Sequence, residues 1–273
     1  MTGDTFFSEG PGHLSALAAA TADGGANLLV VVGGDGSVHE VANGIAERDG
    51  VELAVLARGT GRDFVRTYGI PTDVRGAVET ALRGSTQSID LGRVSYRAWS
   101  GETREAWFAN IASAGMSGAI ARRANETTKA MGGKVSFLLA TLAVFAGWDA
   151  GELRVSVDDE IRGGRMHDVV VANGRWFGGG MMITPDAAPD DGVFDVLLIG
   201  DLTKRDLLVT LPKTYRGGHL PHPKAELLRG TTVTIDADDP LPIELDGEQP
   251  GTTPVRFELV PRALRLRVPN LSK

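Results

Sequence analysis

Two glycine–aspartate loops, each directly following a short apolar run, constrain this chain more than any other feature. The first run, Ala26 to Val32, is β-branched and ends on Gly33-Gly34-Asp35-Gly36. Helical spacing follows over Ser37–Arg48, with Val38, Val41, Ala42 and Ile45 on one face. The second run, Val51 to Leu56, leads into Gly59-Thr60-Gly61-Arg62-Asp63-Phe64. Such runs read as strands buried on both faces of a parallel sheet. With further helical patterns at Leu14–Ala22 and Arg75–Leu82, strand and helix alternate, which predicts an α/β unit. Both loops should then leave the carboxyl edge of the sheet, where ligands of open α/β folds bind.

Glycine lets another molecule approach the backbone closely, and a helix start presents unpaired N–H groups to a phosphate. Asp35 beside a phosphate would repel it unless a cation lies between, so Asp35 is a candidate Mg²⁺ contact. A lone Gly-Gly-Asp-Gly is more often a plain strand-to-helix turn. Two such loops on one edge are hard to explain by turn chemistry alone. No Walker lysine pattern is present, which excludes a P-loop enzyme.

From Ile89 the pattern changes. Leu153–Val157, Asp168–Ala172, Asp195–Ile199, Thr232–Ile235, Arg256–Val260 and Leu264–Val268 are short β-rich segments separated by Gly, Pro and Asp. They predict a second, mainly antiparallel β domain with helices inserted at Ile120–Lys129 and Lys134–Phe145. The expected division is 1–94 and 95–273, with the last strand free to pack back on the first domain. The 273 residues include no cysteine, which excludes a disulfide scaffold and thiolate chemistry. A net charge of −7 disfavours nucleic acid and gives no global attraction to an anionic membrane. The N-terminus lacks a signal-peptide pattern, and the apolar stretch Val135–Trp148 is shorter than the roughly 20 residues needed to span a bilayer. That stretch reads as a core helix, with lining of a lipid-tail cleft as the alternative.

Leu245-Asp246-Gly247-Glu248 places two carboxylates around a glycine, so both can face one cleft. A carboxylate near an attacking hydroxyl can accept its proton, and phosphoryl transfer needs charge neutralised on the phosphate. Taken alone the segment favours a β-turn, since Asp-Gly is a strong turn signal. His219 and His222 sit among prolines and glycines without a nearby third ligand, the pattern of an exposed loop. His39 lies inside the first helix and reads as structural.

The order of these motifs resembles the catalytic domain of diacylglycerol and sphingosine kinases, and soluble bacterial lipid kinases in particular. The similarity runs through residues 33–44 and 59–66, then Asp90-Leu91-Gly92, Asn173-Gly174 and Phe177-Gly178-Gly179-Gly180. It continues through Pro185-Asp186-Ala187, Asp190-Asp191-Gly192, Leu245–Glu248 and Pro261-Arg262-Ala263-Leu264. The resemblance implies an ATP-dependent lipid kinase using Mg²⁺. Gly33, Gly34, Asp35, Gly36, Gly59, Thr60, Gly61 and Asp63 would line the nucleotide site, and Asp90 would join an acidic network at the cleft. Asp246 would be the general base and Glu248 would help organise Mg²⁺. Asp191, with the carbonyls of Ala188 and Val193, would match a structural Mg²⁺ site. The implied setting is cytoplasmic, with transient contact at the membrane to collect a diacylglycerol-type lipid and no nucleic-acid partner; a homodimer is left open. A kinase of a soluble acceptor such as NAD, or an impaired nucleotide- or lipid-binding homologue, are the rivals.

Three features depart from the family pattern. Ala57 replaces a proline and Arg62 an asparagine of the second loop; Arg62 suits either a phosphate contact or a surface position. The family also opens with a strand and an Asn-Pro turn. Here the chain begins near the expected second strand, around Thr5–Ser8, so an upstream strand–helix unit is expected to be missing from the sequence.

Overall fold

The computed structural model describes residues 3–46, 48–126 and 133–270. Helix α1 (His13–Asp23) leads to strand β1 (Leu28–Gly33), α2 (Asp35–Ile45), β2 (Glu52–Ala57), the short α3 (Asp63–Thr67) and α4 (Val74–Arg83). β1 and β2 pair in parallel, from Leu28 opposite Glu52 to Gly33 opposite Ala57. α2 buries Val38, Val41, Ala42 and Ile45 in one core with Leu53, Val55, Phe64 and Leu266. It starts two residues earlier than its apolar spacing suggests. Gly34 is extended, and its carbonyl accepts from Ser37 and Val38, which draws Asp35 and Gly36 into the first turn. Thr5–Ser8 forms no strand; Phe6 and Phe7 are exposed there and find no apolar face.

The second part begins with β3 (Ser85–Ala98), β4 (Thr103–Phe108) and β5 (Ile111–Gly115), then α5 (Met116–Glu126) and α6 (Gly133–Gly147). β6 (Gly151–Val157), β7 (Glu160–Ala172), the two-residue β8 (Trp176–Phe177) and β9 (Met181–Met182), and β10 (Phe194–Gly200) precede α7 (Lys204–Thr214). β11 (Ala225–Gly230), β12 (Thr232–Ala237), β13 (Ile243–Leu245) and β14 (Gly251–Val268) follow. Among the described residues all pairings from β3 to β13 are antiparallel. The inner faces meet in a core where the Phe108 and Phe194 rings stack with centroids 5.5 Å apart. α5 starts before the expected Ile120 because Asp168 accepts the backbone N–H of Ser117 at 3.1 Å, capping the helix. Lys129, its expected end, lies outside the described residues.

β14 joins the two parts. It pairs antiparallel with β3 along its length and with β12 over its first half, and its end lies parallel to β2, with Leu266 opposite Leu53. β3 passes through residue 94 without a break, so the parts share a continuous β3–β14 ribbon rather than a linker. That ribbon sets the β1/β2 loops facing the β13–β14 connection.

Candidate active site

The two glycine loops touch. A Cβ added to Gly59 would sit 2.5 Å from the Gly34 Cα, so backbone meets backbone where the loops cross. Asp35, in the first turn of α2, reaches across and accepts from Asp63 N at 3.4 Å and Phe64 N at 3.2 Å. Burial raises its pKa above the usual carboxylate value, the amide bonds oppose this, and the charge on Asp246 adds to the rise. Asp63 is buried and accepts from Arg66 at 3.1 Å and from Gly179 N at 2.6 Å. The Phe177–Gly180 turn is thereby tied to the second loop.

Asp246-Gly247 is a two-residue turn. Leu245 and Glu248 exchange backbone bonds of 2.8 and 2.9 Å, and both turn residues have positive φ, 50° and 95°. The Asp-Gly turn signal is therefore met, and the turn lies on the wall of the cavity described below. The turn aims Asp246 at three backbone N–H groups, from Ala109 (2.8 Å), Asn110 (2.9 Å) and Ile111 (3.1 Å). His39 Nδ1 approaches the same carboxylate at 3.0 Å. Glu248 is exposed, and its Oε1 lies 3.2 Å from where a Cβ on Gly36 would stand.

These groups line one cavity of about 520 Å³, within the size range of small-molecule sites. Its walls bring together Gly34, Asp35, Gly36, Gly59, Thr60, Gly61, Asp63, Asp246 and Glu248 of the expected residues. Gly33 stands one residue back, at the end of β1, where its carbonyl accepts from Arg58 N at 2.7 Å.

Asp90 is not brought to this cavity. It is buried in β3, and its carboxylate is filled by the amides of Gly192 (2.9 Å) and Arg262 (2.8 Å), a strut between the Asp190–Gly192 loop and β14. Asp191 is also elsewhere. It accepts from Val193 N at 3.3 Å and pairs with Arg229, which stands 3.6 Å from Asp195. A guanidinium thus already neutralises Asp191, and the set Asp191, Ala188 and Val193 does not fit a dication as arranged. Arg62 lies outside the cavity wall. It is exposed with a left-handed φ of 61°, a conformation that asparagine tolerates better.

Arg58, Asn110 and Ser117, which no sequence motif marks, line the cavity, and so does His39, expected to be structural. His39 follows Asp35 by four residues, so helical spacing could have placed it on the same side. Asn110 and Ser117 have no such local signal. His219 departs from its expected exposed loop: it is buried, and its Nε2 meets the Ile183 carbonyl at 2.9 Å. Burial lowers its pKa, against that bond, so the ring is neutral. Among the described residues no three His, Asp or Glu side chains cluster as metal ligands, and no helix is long and apolar enough to cross a membrane.

A second, apolar cavity lies between the β7–β10 face and helices α5, α6 and α7, lined by Met116, Ile120, Met181, Ile183, Ile199, Leu207 and Leu211 among others. It shares Ser117 and Phe177 with the first.

Residues 2–94 match the model of the diacylglycerol kinase catalytic domain, and residues 110–268 that of the YegS C-terminal NAD kinase beta sandwich-like domain. The chain is 24% identical to a diacylglycerol kinase of Staphylococcus saprophyticus, over 97% of this chain and 84% of that one. It is 27% identical to a diacylglycerol kinase of Staphylococcus epidermidis, over 85% and 71% of the two chains. Its fold is similar to the crystal structure of a diacylglycerol kinase from Bacillus anthracis, with a TM-score of 0.72 at 19% identity over 96% of this chain and 84% of that one. The chain belongs to the diacylglycerol kinase family, joining that family's catalytic domain to a YegS-type C-terminal domain, and is accordingly a kinase-type phosphotransferase with an alcohol acceptor.

Proposed function

We propose that this chain transfers the γ-phosphate of ATP to the hydroxyl of diacylglycerol or a closely related lipid, with Asp246 as general base. The observation that carries the lipid reading is the apolar cavity opening beside the acidic one, through Ser117 and Phe177. A soluble dinucleotide acceptor has no use for such a wall, whereas an acyl chain does.

ATP belongs over the crossed glycine loops, where bare backbone and the start of α2 favour phosphates. Arg58 is the cation of that wall. Asp35, Asp63, Glu244, Asp246 and Glu248 make the cavity acidic, which is hostile to a polyphosphate without a metal ion. Burial holds the Glu244 pKa well above the usual carboxylate value, so it adds least to that charge. Asp63 and Asp246 carry the shorter bonds given above, whereas Asp35 is held only by amides at 3.2 and 3.4 Å, so Asp35 and Glu248, on either side of Gly36, are the pair that would hold Mg²⁺. When bound, Mg²⁺ would offset charge on the transferring phosphoryl group.

The backbone amides fix the Asp246 carboxylate on the cavity wall, facing an acceptor hydroxyl held between the two cavities. As the oxygen attacks the γ-phosphorus, its proton passes to Asp246 and ADP leaves. The membrane is met at the outer layer of α6 and α7, which covers the apolar cavity. Leu138, Leu139, Leu142, Leu208 and Val209 are exposed there. Residues 201–224 carry Lys204, Arg205, Lys213, Arg216 and Lys224 against Asp201 and Asp206, a local excess of positive charge in an acidic chain.

The test is transfer of labelled γ-phosphate from Mg·ATP to dispersed diacylglycerol, phosphatidylglycerol, ceramide and sphingosine, with NAD as the soluble acceptor. Label on a lipid supports the reading. Label on NAD alone would assign a soluble acceptor, and binding without label would leave a non-catalytic homologue.

A further inference from the structure

We propose that Asp168, held by Ser117, forms a polar subsite at the junction of the two cavities that recognises an ester carbonyl of the lipid acceptor. This rests on the lipid-kinase reading and adds to it the part of the lipid that is recognised.

Asp168 is buried in β7 and lines the apolar cavity. Its Oδ2 accepts from the Ser117 N–H at 3.1 Å and from the Ser117 hydroxyl. Its Oδ1 is buried without a hydrogen-bond partner. Capping α5 explains Oδ2 but not Oδ1. An unpartnered carboxyl oxygen in an apolar wall destabilises a fold, and such atoms are rare unless a ligand completes them.

Ser117 faces both cavities, so the pair stands where an acceptor passes from its reacting hydroxyl to its acyl chains. A diacylglycerol changes from polar to apolar at its ester groups. Burial pushes Asp168 up to about 7, opposed by the Ser117 bonds and by the nearby Val169 N–H, which makes no hydrogen bond to Oδ1, so near neutral pH the carboxylic acid form is available. In that form Ser117 occupies Oδ2, and the proton on Oδ1 can be donated to a carbonyl oxygen. An ether oxygen is a weaker acceptor and lacks the carbonyl's reach.

The experiment compares kcat/KM of the full chain for dioctanoylglycerol and for the dioctyl ether lacking both carbonyls. Wild-type protein should favour the ester by about tenfold, the equivalent of one good hydrogen bond. Asp168→Ala should bring the ratio close to one, while Asp168→Asn, whose amide can still donate, should keep most of it. Ser117→Ala leaves the backbone bond that caps α5 and guards against an unfolded alanine variant; it should lower the ratio about threefold. A merely structural Asp168 would reduce activity on both lipids equally. An unchanged ratio in folded Asp168→Ala or Ser117→Ala, or no ester preference in wild type, overturns the subsite. Wild-type protein that phosphorylates neither lipid overturns the lipid-kinase reading itself.

Discussion

His39 Nδ1 lies 3.0 Å from Asp246 Oδ2, so the helix that follows the first glycine loop touches the carboxylate of the β13–β14 turn. Burial lowers the pKa of His39, but the Asp246 bond and charge, with Glu248 and Glu40, outweigh it and the net shift is upward. A histidine whose folded pKa is raised stabilises the fold below its unfolded value of 6.5, and that contribution fades as pH rises through the raised value. His39→Asn should therefore cost about 2 kcal/mol at pH 6 and less at pH 8. Denaturation midpoints of both proteins across that range check it; a penalty independent of pH would contradict it.

Gly59→Ala forces a Cβ to 2.5 Å from the Gly34 Cα, and both partners are backbone. The loops must separate, at a cost of about 2 kcal/mol in stability. The KM for ATP should rise tenfold or more, because the phosphate wall is the surface that moves. Arg62→Asn acts in the opposite direction. It relieves a left-handed arginine, so the melting temperature should rise with little change in turnover.

The exit of both loops at one sheet edge was legible in the sequence because it is local, whereas their contact was not. Each strand, glycine turn and helix start is contiguous, and the parallel pairing of β1 and β2 follows from apolar runs without alternation. Asp246 was legible only through motif order, since Asp-Gly alone spells a turn. The amides that position Asp246 belong to residues 109–111, more than 130 positions away. No local pattern records such a contact. Asp90 shows the same limit: its Asp-Leu-Gly motif is local, whereas the long β3–β14 ribbon gives its carboxylate to Gly192 and Arg262. His219 looked like loop chemistry because neighbouring glycines and prolines signal turns, while it is buried on the Ile183 carbonyl, 36 positions away.

Asp168 sets a stability slope of opposite origin to that of His39. Its pKa rises from 3.8 to about 7 through burial, so the folded state keeps a proton that the unfolded chain releases. Stability is present below 3.8 and is lost as pH rises toward 7, by roughly 4 kcal/mol as an order of magnitude. Asp168→Asn should flatten this slope. Equal slopes for the two proteins in urea titrations between pH 4 and 7.5 would contradict the assignment.

The α6–α7 layer should govern membrane contact without touching the chemistry. Leu208→Asp combined with Lys213→Glu replaces exposed apolar and basic groups by acidic ones. Co-sedimentation with vesicles containing anionic phospholipid should fall at least fivefold, by loss of about 1 kcal/mol per basic residue and of apolar insertion. Turnover of a water-soluble short-chain diacylglycerol should stay within twofold. Unchanged vesicle binding would place the contact elsewhere.

The most direct measurement is single-turnover transfer of labelled γ-phosphate to dioctanoylglycerol by wild-type protein and by Asp246→Asn. The asparagine keeps the size of the side chain but cannot accept the proton. Wild type should label the lipid, and the variant should be slower by about 10²–10⁴-fold at an unchanged KM for ATP. A variant within threefold of wild type would remove Asp246 from the chemistry and contradict the account at its centre.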